Sequence, residues 1–92
     1  MIQTEALIQT DSTIAAKVVA VLADRLGKHP SSIRLDDDLL LDLGIDSLSM
    51  AEMTVLVEQA VGSRIPASEL IETSTVGDLV RVLARHSRRG SP

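Results

Sequence analysis

The chain has 92 residues, a formal net charge of −4, and neither aromatic residues nor cysteine. A chain of this length forms one domain and buries only roughly 60–65% of its unfolded surface, which leaves little interior for an enclosed active site. Its composition excludes base stacking by aromatic side chains, a disulfide framework and a thiolate metal site, and its acidic charge disfavours nucleic acid as a partner.

The first predicted helix follows a short N-terminal segment. Residues 1–11 are expected to be flexible, and they lack a basic region followed by a long apolar run, so no secretion signal is predicted. Apolar residues then recur at helical spacing up to Gly27, and Asp11 or Ser12 can cap the helix. We therefore expect helix one over about residues 12–26.

A long connection, residues 28–46, separates this helix from the next. Pro30 and an Asp-rich turn at 36–38 interrupt it. Its apolar residues predict a loop held against the bundle, and they are Ile33, Leu35, Leu39, Leu40 and Leu43. From Asp36 to Ser63 there are seven acidic residues and no Lys or Arg, a distribution that steers basic partners toward this segment.

The second predicted helix has two apolar faces. Gly44 permits a sharp turn, and Asp46 or Ser47 can cap a helix that runs to about Val61. The core face is predicted to hold Met50, Met53, Leu56, Val57, Ala60 and Val61. A narrow apolar strip lies on the other side, formed by Leu48, Ala51 and Val55 and bordered by Glu52, Glu58 and Gln59. This strip is predicted to dock a partner enzyme, unless helix three or the connection covers it.

Two further helices complete the predicted fold. Pro66 opens a short third helix, and Thr75 with Asp78 makes a capping-box-like start for a fourth helix that ends near His86. Residues 87–92 are expected to form a disordered basic tail.

The predicted fold class is all-α. Residues 12–86 are expected to form a four-helix bundle with a long loop between helices one and two and a short third helix. No segment approaches the length needed to cross a bilayer, so we expect no membrane partner and a location in the cytoplasm. We also expect the chain to be a monomer.

Ser47 lies between Asp46 and Leu48, at the predicted start of helix two, with no recognisable catalytic partner. An esterase-type elbow would place glycines on both sides of the serine, and neither His29 nor His86 stands in a triad context. Three interpretations remain from the residues alone: a serine modified by another enzyme, a simple helix cap, and the nucleophile of a small hydrolase.

The acidic connection does not match a calcium-binding loop. Counting from Asp36, the sixth position is Leu41 where glycine is required, and the twelfth is Ser47 where a bidentate Glu is required. We therefore predict no metal site.

The ordered motifs of the chain resemble those of the acyl carrier proteins of fatty acid and polyketide synthesis. The run from Leu43 to Leu48 is similar to the phosphopantetheine attachment motif of that family. Other similar segments follow in the family's order: Arg25-Leu26-Gly27, Asp38-Leu39, Glu52-Met53, Ile65-Pro66 and Thr75-Val76-Gly77-Asp78-Leu79. Asp-Ser-Leu alone would be weak evidence for the family, but the same tripeptide together with these ordered segments is strong evidence.

The resemblance implies a carrier that is not an enzyme. A phosphopantetheinyl transferase would attach 4′-phosphopantetheine from coenzyme A to Ser47, with Asp46 and Leu48 beside it, and the thiol of the arm would hold acyl groups as thioesters. Acyl-loading and synthase enzymes with basic docking surfaces would recognise Leu48, Ala51, Glu52, Val55 and Glu58. An acyl chain would enter an interior lined by Met53, Leu56, Val57, Ile65 and Leu70.

Departures from the family pattern bear on the pathway. Ser49, Gln59 and Ala60 stand where carriers of primary fatty acid synthesis often have acids, and the C-terminal end is basic. We expect a stand-alone carrier of a polyketide or other specialised pathway, such as antibiotic synthesis. The alternatives are a peptidyl (aminoacyl) carrier, which Asp46 disfavours because His is commoner there, and an unmodified helical adaptor.

Overall fold

The computed structural model describes residues 11–89, and this part of the chain is helical. Its elements are α1 (Asp11–Leu26), a 3-10 turn (Pro30–Ser32), α2 (Ser47–Val61), α3 (Ala67–Leu70) and α4 (Val76–Arg89). Within residues 11–89 β-sheet pairing is limited to an isolated antiparallel bridge between Asp38 and Thr75. The prediction of an all-α bundle with a long first loop and a short third helix is confirmed.

The helix ends follow the predicted signals, with one difference. α1 ends at Leu26 and α2 ends at Val61, as expected from the glycines that follow them. α4 continues to Arg89, three residues past the predicted end at His86, because no Gly or Pro interrupts it. Residues 87–89 and Asp11, predicted to belong to the two terminal segments, are therefore helical, while the rest of those segments, 1–10 and 90–92, lies outside the described residues.

The core lies between α1, α4 and one face of α2. The largest side chains with 0–1% exposure are Ile14, Val18, Leu22, Val57, Val76, Leu79 and Leu83. The α1 members are four residues apart, which places them on one face of that helix. Burying each such side chain contributes about 1.5–3 kcal/mol, so this interior is stable without aromatic residues.

The connection between α1 and α2 is held to the bundle in part as predicted. Ile33, Leu39 and Leu43 are buried, whereas Leu35 and Leu40 are exposed, contrary to the prediction. The turn that starts at Asp38 explains the difference for Leu40, because successive side chains in a tight turn cannot all face the same side.

Backbone hydrogen bonds attach this connection to the start of α4. Leu39 N–H donates to Ser74 O at 2.8 Å, and Gly77 N–H donates to Leu35 O at 2.8 Å. A Cβ at Gly77 would lie 3.1 Å from that same carbonyl oxygen, so a glycine permits the close approach. These contacts position the chain that leads into α2. No helix within residues 11–89 has both the length and the apolar character that crossing a bilayer requires.

Candidate functional site

Ser47 is the first residue of α2, and its side chain is exposed to solvent. The chain reaches it through Gly44, whose φ of 71° lies in the left-handed region that favours glycine. Ile45 follows and is buried, and its N–H donates to Leu39 O at 2.9 Å. A buried residue two positions earlier therefore fixes the serine at the surface.

Asp46 caps α2 directly before Ser47. Its backbone is extended, with φ −83° and ψ −176°, and its Oδ1 accepts a hydrogen bond from Ser49 N at 2.9 Å. Hydrogen bonds from Ser49 lower the pKa of the Asp46 carboxyl below its usual value. The prediction of a cap at this position is confirmed for Asp46, and the carboxylate stays ionised beside the serine at neutral pH.

The Ser47 hydroxyl has no histidine partner within residues 11–89. His29 Nδ1 accepts from Ser31 N at 3.1 Å, and His86 Nε2 lies 2.8 Å from Glu69 Oε2. Both rings are thus engaged elsewhere, and a serine nucleophile needs a base within hydrogen-bond reach. The geometry gives the hydrolase interpretation no support.

The acidic residues of the connection stabilise its turns. Asp38 Oδ1 accepts from Leu40 N at 2.9 Å and from Leu41 N at 2.8 Å, while Asp42 Oδ2 accepts from Asp38 N at 2.7 Å. Among the described side chains, no group of three or more His, Asp or Glu is arranged to hold a metal ion. Part of the acidic charge before α2 therefore has a structural role.

An open cavity of about 560 Å³ lies beside Ser47, between the connection and α3. We call it the Ser47 cleft, and it is lined by Asp38, Leu39, Leu40, Leu41, Ile45, Asp46, Ser47, Met50, Leu70, Ile71, Thr73 and Ser74. Its lining combines apolar side chains with hydroxyl and carboxylate groups. A cleft of this size is in the range of small-ligand sites.

Of the five residues predicted to line an acyl pocket, Leu70 lies in the Ser47 cleft. Met53, Val57 and Ile65 are buried in the core, and Leu56 lines a separate hollow beside α1. The structure thus does not gather the five around the serine. The sequence did not predict that Met50, Leu40, Leu41 and Ile71 line this cleft. The three consecutive leucines 39–41 were the available signal, because they cannot all face the core.

The apolar strip on α2 is open to solvent. Leu48 is 76% exposed, and Ala51 and Val55 are exposed as well, so neither α3 nor the connection covers them. Ala60, predicted on the core face, is exposed too. It lies about 60° around the helix from fully buried Val57, in the last turn and one residue before α2 ends at Val61.

The two acids beside this strip differ in their surroundings. Glu52 Oε1 pairs with Arg25 Nη2 of α1 at 2.6 Å, and both side chains are about half exposed. Glu58 is half-buried, and its Oε2 accepts from Ile65 N at 2.8 Å. Glu58 therefore also holds the segment after α2, whereas Glu52 forms a surface ion pair.

Comparisons with known proteins identify the family that this chain resembles. The family model described as "Phosphopantetheine attachment site" matches residues 16–83, which include Ser47 and all four helices in whole or part. An acyl carrier protein of Rhodococcus erythropolis (strain PR4 / NBRC 100887) is 32% identical over 85 residues, covering 92% of this chain and 93% of that protein.

Two further relatives are similar over most of the chain. An acyl carrier protein of Rickettsia bellii (strain RML369-C) is 36% identical over 73 residues, or 79% of this chain and 85% of the relative. A meromycolate extension acyl carrier protein of Mycobacterium leprae (strain TN) is 36% identical over 76 residues, or 83% of this chain and 66% of the relative.

The exposed hydroxyl at the start of α2 suits a covalently attached group, because solvent and a second enzyme can both reach it. Members of the matched family bear covalent 4′-phosphopantetheine, interact with transferases and synthases, and are carriers rather than enzymes. Since the family model covers most of the chain and relatives at 32–36% identity span it, this chain belongs to the acyl carrier protein family.

Proposed function

We propose that Ser47 receives the 4′-phosphopantetheine arm and that the chain carries acyl groups as thioesters on it. The observation that carries this proposal is the exposed hydroxyl of Ser47, held at the first position of α2 by the Asp46 cap and buried Ile45. Because the chain has no cysteine, the thiol that forms the thioester must come from the arm.

The attachment step needs a separate transferase. Ser47 Oγ forms a bond to the phosphorus that bears the pantetheine group of coenzyme A, and the bond from that phosphorus to 3′,5′-ADP breaks. The transferase accepts the serine proton, since the described histidines hydrogen-bond elsewhere. The resulting phosphodiester carries one negative charge at the N-terminus of α2, where the helix dipole favours anions.

Partner enzymes are proposed to dock on the exposed strip of α2. Leu48, Ala51 and Val55 offer apolar area, and Glu52 at the border, whose ion pair with Arg25 is exposed, favours a basic counterpart. Glu58 has a smaller part in this proposal than the sequence predicted, because its carboxylate is already bound to Ile65 N. Phosphopantetheinyl transferase, acyl-loading enzymes and synthases are the proposed partners of a monomeric carrier in the cytoplasm.

For the cargo, an acyl chain in the interior lined by Met53, Leu56, Val57, Ile65 and Leu70 remains a prediction. Three of these side chains are tightly buried, so the helices would have to separate to admit a chain. Entry of an acyl chain would then be opposed by the cost of opening the core.

We propose a stand-alone carrier of a polyketide or other specialised pathway. The support comes from α2, where Gln59 and Ala60 are exposed without charge, so that Glu52 and Glu58 are the acids of this helix. The basic character of α4 supports it less, since Arg81 pairs with Asp78 and Arg85 pairs with Glu69. The name of the mycobacterial relative refers to meromycolate extension, so a fatty chain is the competing cargo.

The arm is tested by intact mass before and after incubation with coenzyme A, magnesium and a broad-specificity phosphopantetheinyl transferase. Parent protein and Ser49→Ala, a matched variant in the same turn of α2, are expected to gain one phosphopantetheinyl group. Ser47→Ala is expected to gain none. Modification of Ser47→Ala would place the site elsewhere, and a folded parent that gains nothing with several transferases would refute the carrier function.

The cargo class is tested on the protein that bears the arm. Malonyl transferases from a polyketide and from a fatty acid system, and an aminoacyl-adenylating enzyme, are compared by kcat/KM. Preference for the polyketide malonyl transferase would support the proposed pathway. Preference for the fatty acid enzyme or for aminoacylation would contradict it while leaving the carrier function intact.

A further inference from the structure

Two of the most exposed large apolar side chains within residues 11–89 line the Ser47 cleft. Leu41, in the connection, is 82% exposed, and Ile71, directly after α3, is 83% exposed. Leu40 is also exposed and lines the same cleft. Three large apolar side chains thus surround the opening beside the serine.

The backbone holds these side chains outward. The N–H groups of Leu40 and Leu41 both donate to the Asp38 carboxylate, and Ile71 N–H donates to Ala67 O at 3.2 Å. The three side chains contribute little to the core, because they remain mostly in solvent. Exposed apolar groups that cluster around a cavity are typical of interaction surfaces.

The position of Ser47 in the same cleft identifies the kind of partner. An enzyme that acts on the serine hydroxyl must cover the cleft that the serine lines. An enzyme that acts on the thiol of the arm works at the far end of a long tether, so it has no need to contact the cleft. The modifying transferase is therefore the partner that must make this contact.

We infer that Leu40, Leu41 and Ile71 form a second docking surface, used by the phosphopantetheinyl transferase, which places an apolar side chain in the Ser47 cleft. This inference rests on the proposed attachment at Ser47. The charge around the cleft fits such a partner, because residues 36–63 contain acids and no Lys or Arg, and the transferase would place basic groups at the rim.

This surface is distinct from the strip on α2. The strip, Leu48, Ala51 and Val55, follows the exposed side of the helix, whereas the second surface joins the connection to the end of α3. A partner that acts on the arm can use the strip alone. Substitutions in the second surface should therefore affect attachment of the arm and leave later acyl transfer unchanged.

The test measures arm attachment by a purified broad-specificity transferase at saturating coenzyme A and magnesium, over a range of carrier concentrations. Leu41→Ser and Ile71→Ser are made singly and together. Leu35→Ser is the matched control, because Leu35 is an exposed leucine of the same connection that lines a different cavity near α1 and α4. Circular dichroism melting confirms that each variant is folded.

We expect the double variant to raise KM by about fivefold or more with kcat nearly unchanged, as truncation of central interface side chains does. Leu35→Ser should keep the KM of the parent. A double variant with the KM of the parent would overturn the inference, and so would an equal rise for Leu35→Ser, which would show a general effect of surface apolar area.

A second measurement separates docking from chemistry. The Ser47→Ala variant can dock on the transferase but cannot be modified, so it should inhibit modification of the parent protein. Adding Leu41→Ser and Ile71→Ser to this variant should weaken that inhibition. Equal inhibition with and without Leu41 and Ile71 would also overturn the inference. If the parent protein accepts no arm, the proposed function fails and the inference falls with it. If the parent is modified and the cleft variants have the same KM as the parent, the inference alone is overturned.

Discussion

The side of the bundle formed by α1 and α4 and the side that carries Ser47 are stabilised by different interactions. The first side is built from apolar side chains, several of which have no exposed surface at all. On the second side, α3 contains no buried residue: Leu70 packs partly against the core, and the Glu69 carboxylate contacts Arg85 at 3.0 Å and His86 at 2.8 Å. The connection that precedes Ser47 buries Leu39, Leu43 and Ile45 and is also held by hydrogen bonds to carboxylates and to backbone carbonyls.

This difference matches what each side must do. Apolar burial gives stability in proportion to the surface removed from water, so it is strongest where no partner needs access. Hydrogen bonds can fix a loop while its side chains remain in solvent, which keeps the Ser47 cleft open. We therefore expect substitutions of buried residues on the α1 and α4 side to lower stability, and substitutions of exposed residues on the Ser47 side to affect recognition.

The largest effect on stability is expected for Leu83→Ala, on the α1 and α4 side. Leu83 is fully buried, so truncation leaves a cavity and should lower the free energy of unfolding by about 2–5 kcal/mol. Urea unfolding followed by circular dichroism measures the change. Leu41→Ala is the matched leucine on the Ser47 side and should change stability by less than about 0.5 kcal/mol. Similar losses for the two variants would contradict the proposed contrast between the sides.

An intermediate effect is expected at Glu58, which lies between the strip on α2 and the loop after it. Glu58→Ala leaves the N–H of buried Ile65 without its acceptor, so the free energy of unfolding should fall by about 1–2 kcal/mol. Glu52→Ala removes an exposed ion pair with Arg25 and should cost less than about 1 kcal/mol. Urea unfolding of both variants provides the comparison.

Glu58→Gln serves as the control, because its amide oxygen can still accept the hydrogen bond from Ile65 N. It should recover much of the stability that Glu58→Ala loses. If Glu58→Ala and Glu52→Ala were equally stable, the contact of Glu58 with Ile65 would have no structural role, and both acids would be equally suited to partner docking.

The same contrast explains which features were predictable from sequence. The helices were predictable, because apolar spacing and local signals such as Gly27, Gly62 and the Asp46 cap act within a few residues. The position of Ser47 followed from the same local signals. The confirmed bundle is therefore largely a product of short-range sequence patterns.

The surroundings of the serine were less predictable, because they depend on contacts distant in sequence. Glu58 was assigned to docking alone, although it binds Ile65 seven residues later. Leu40 was expected to pack inward and instead stands at the cleft, and Ile71 gave no periodic signal because α3 is one turn long. Periodicity identifies a face only where a helix or strand is long enough to repeat.

The smallest expected effect concerns Asp78, which joins the two sides at the start of α4. Its Oδ2 accepts from Ser74 N at 3.0 Å and Thr75 N at 3.1 Å, while Thr75 Oγ1 accepts from Asp78 N, which completes a capping box. The hydrogen bond from Ser74 N, followed by that from Thr75 N, lowers the pKa of the Asp78 carboxyl in the folded protein, and Arg81 adds to the shift.

The sign of the pH dependence follows from this shift. Because the pKa of Asp78 is lower in the folded state than its ordinary value of about 3.9, ionised Asp78 stabilises the fold above that pH, and the contribution is lost as the pH falls through the folded pKa. Asp78→Asn should thus be less stable than the parent by at most about 1 kcal/mol near pH 7, with the difference shrinking below about pH 4. Urea midpoints across this pH range measure it. If the stability difference between the parent and Asp78→Asn stayed constant down to pH values below the folded pKa, the side chain would stabilise α4 by its shape and not by its charge. The attachment of the Ser47 side to α4 would then be insensitive to acid at this residue.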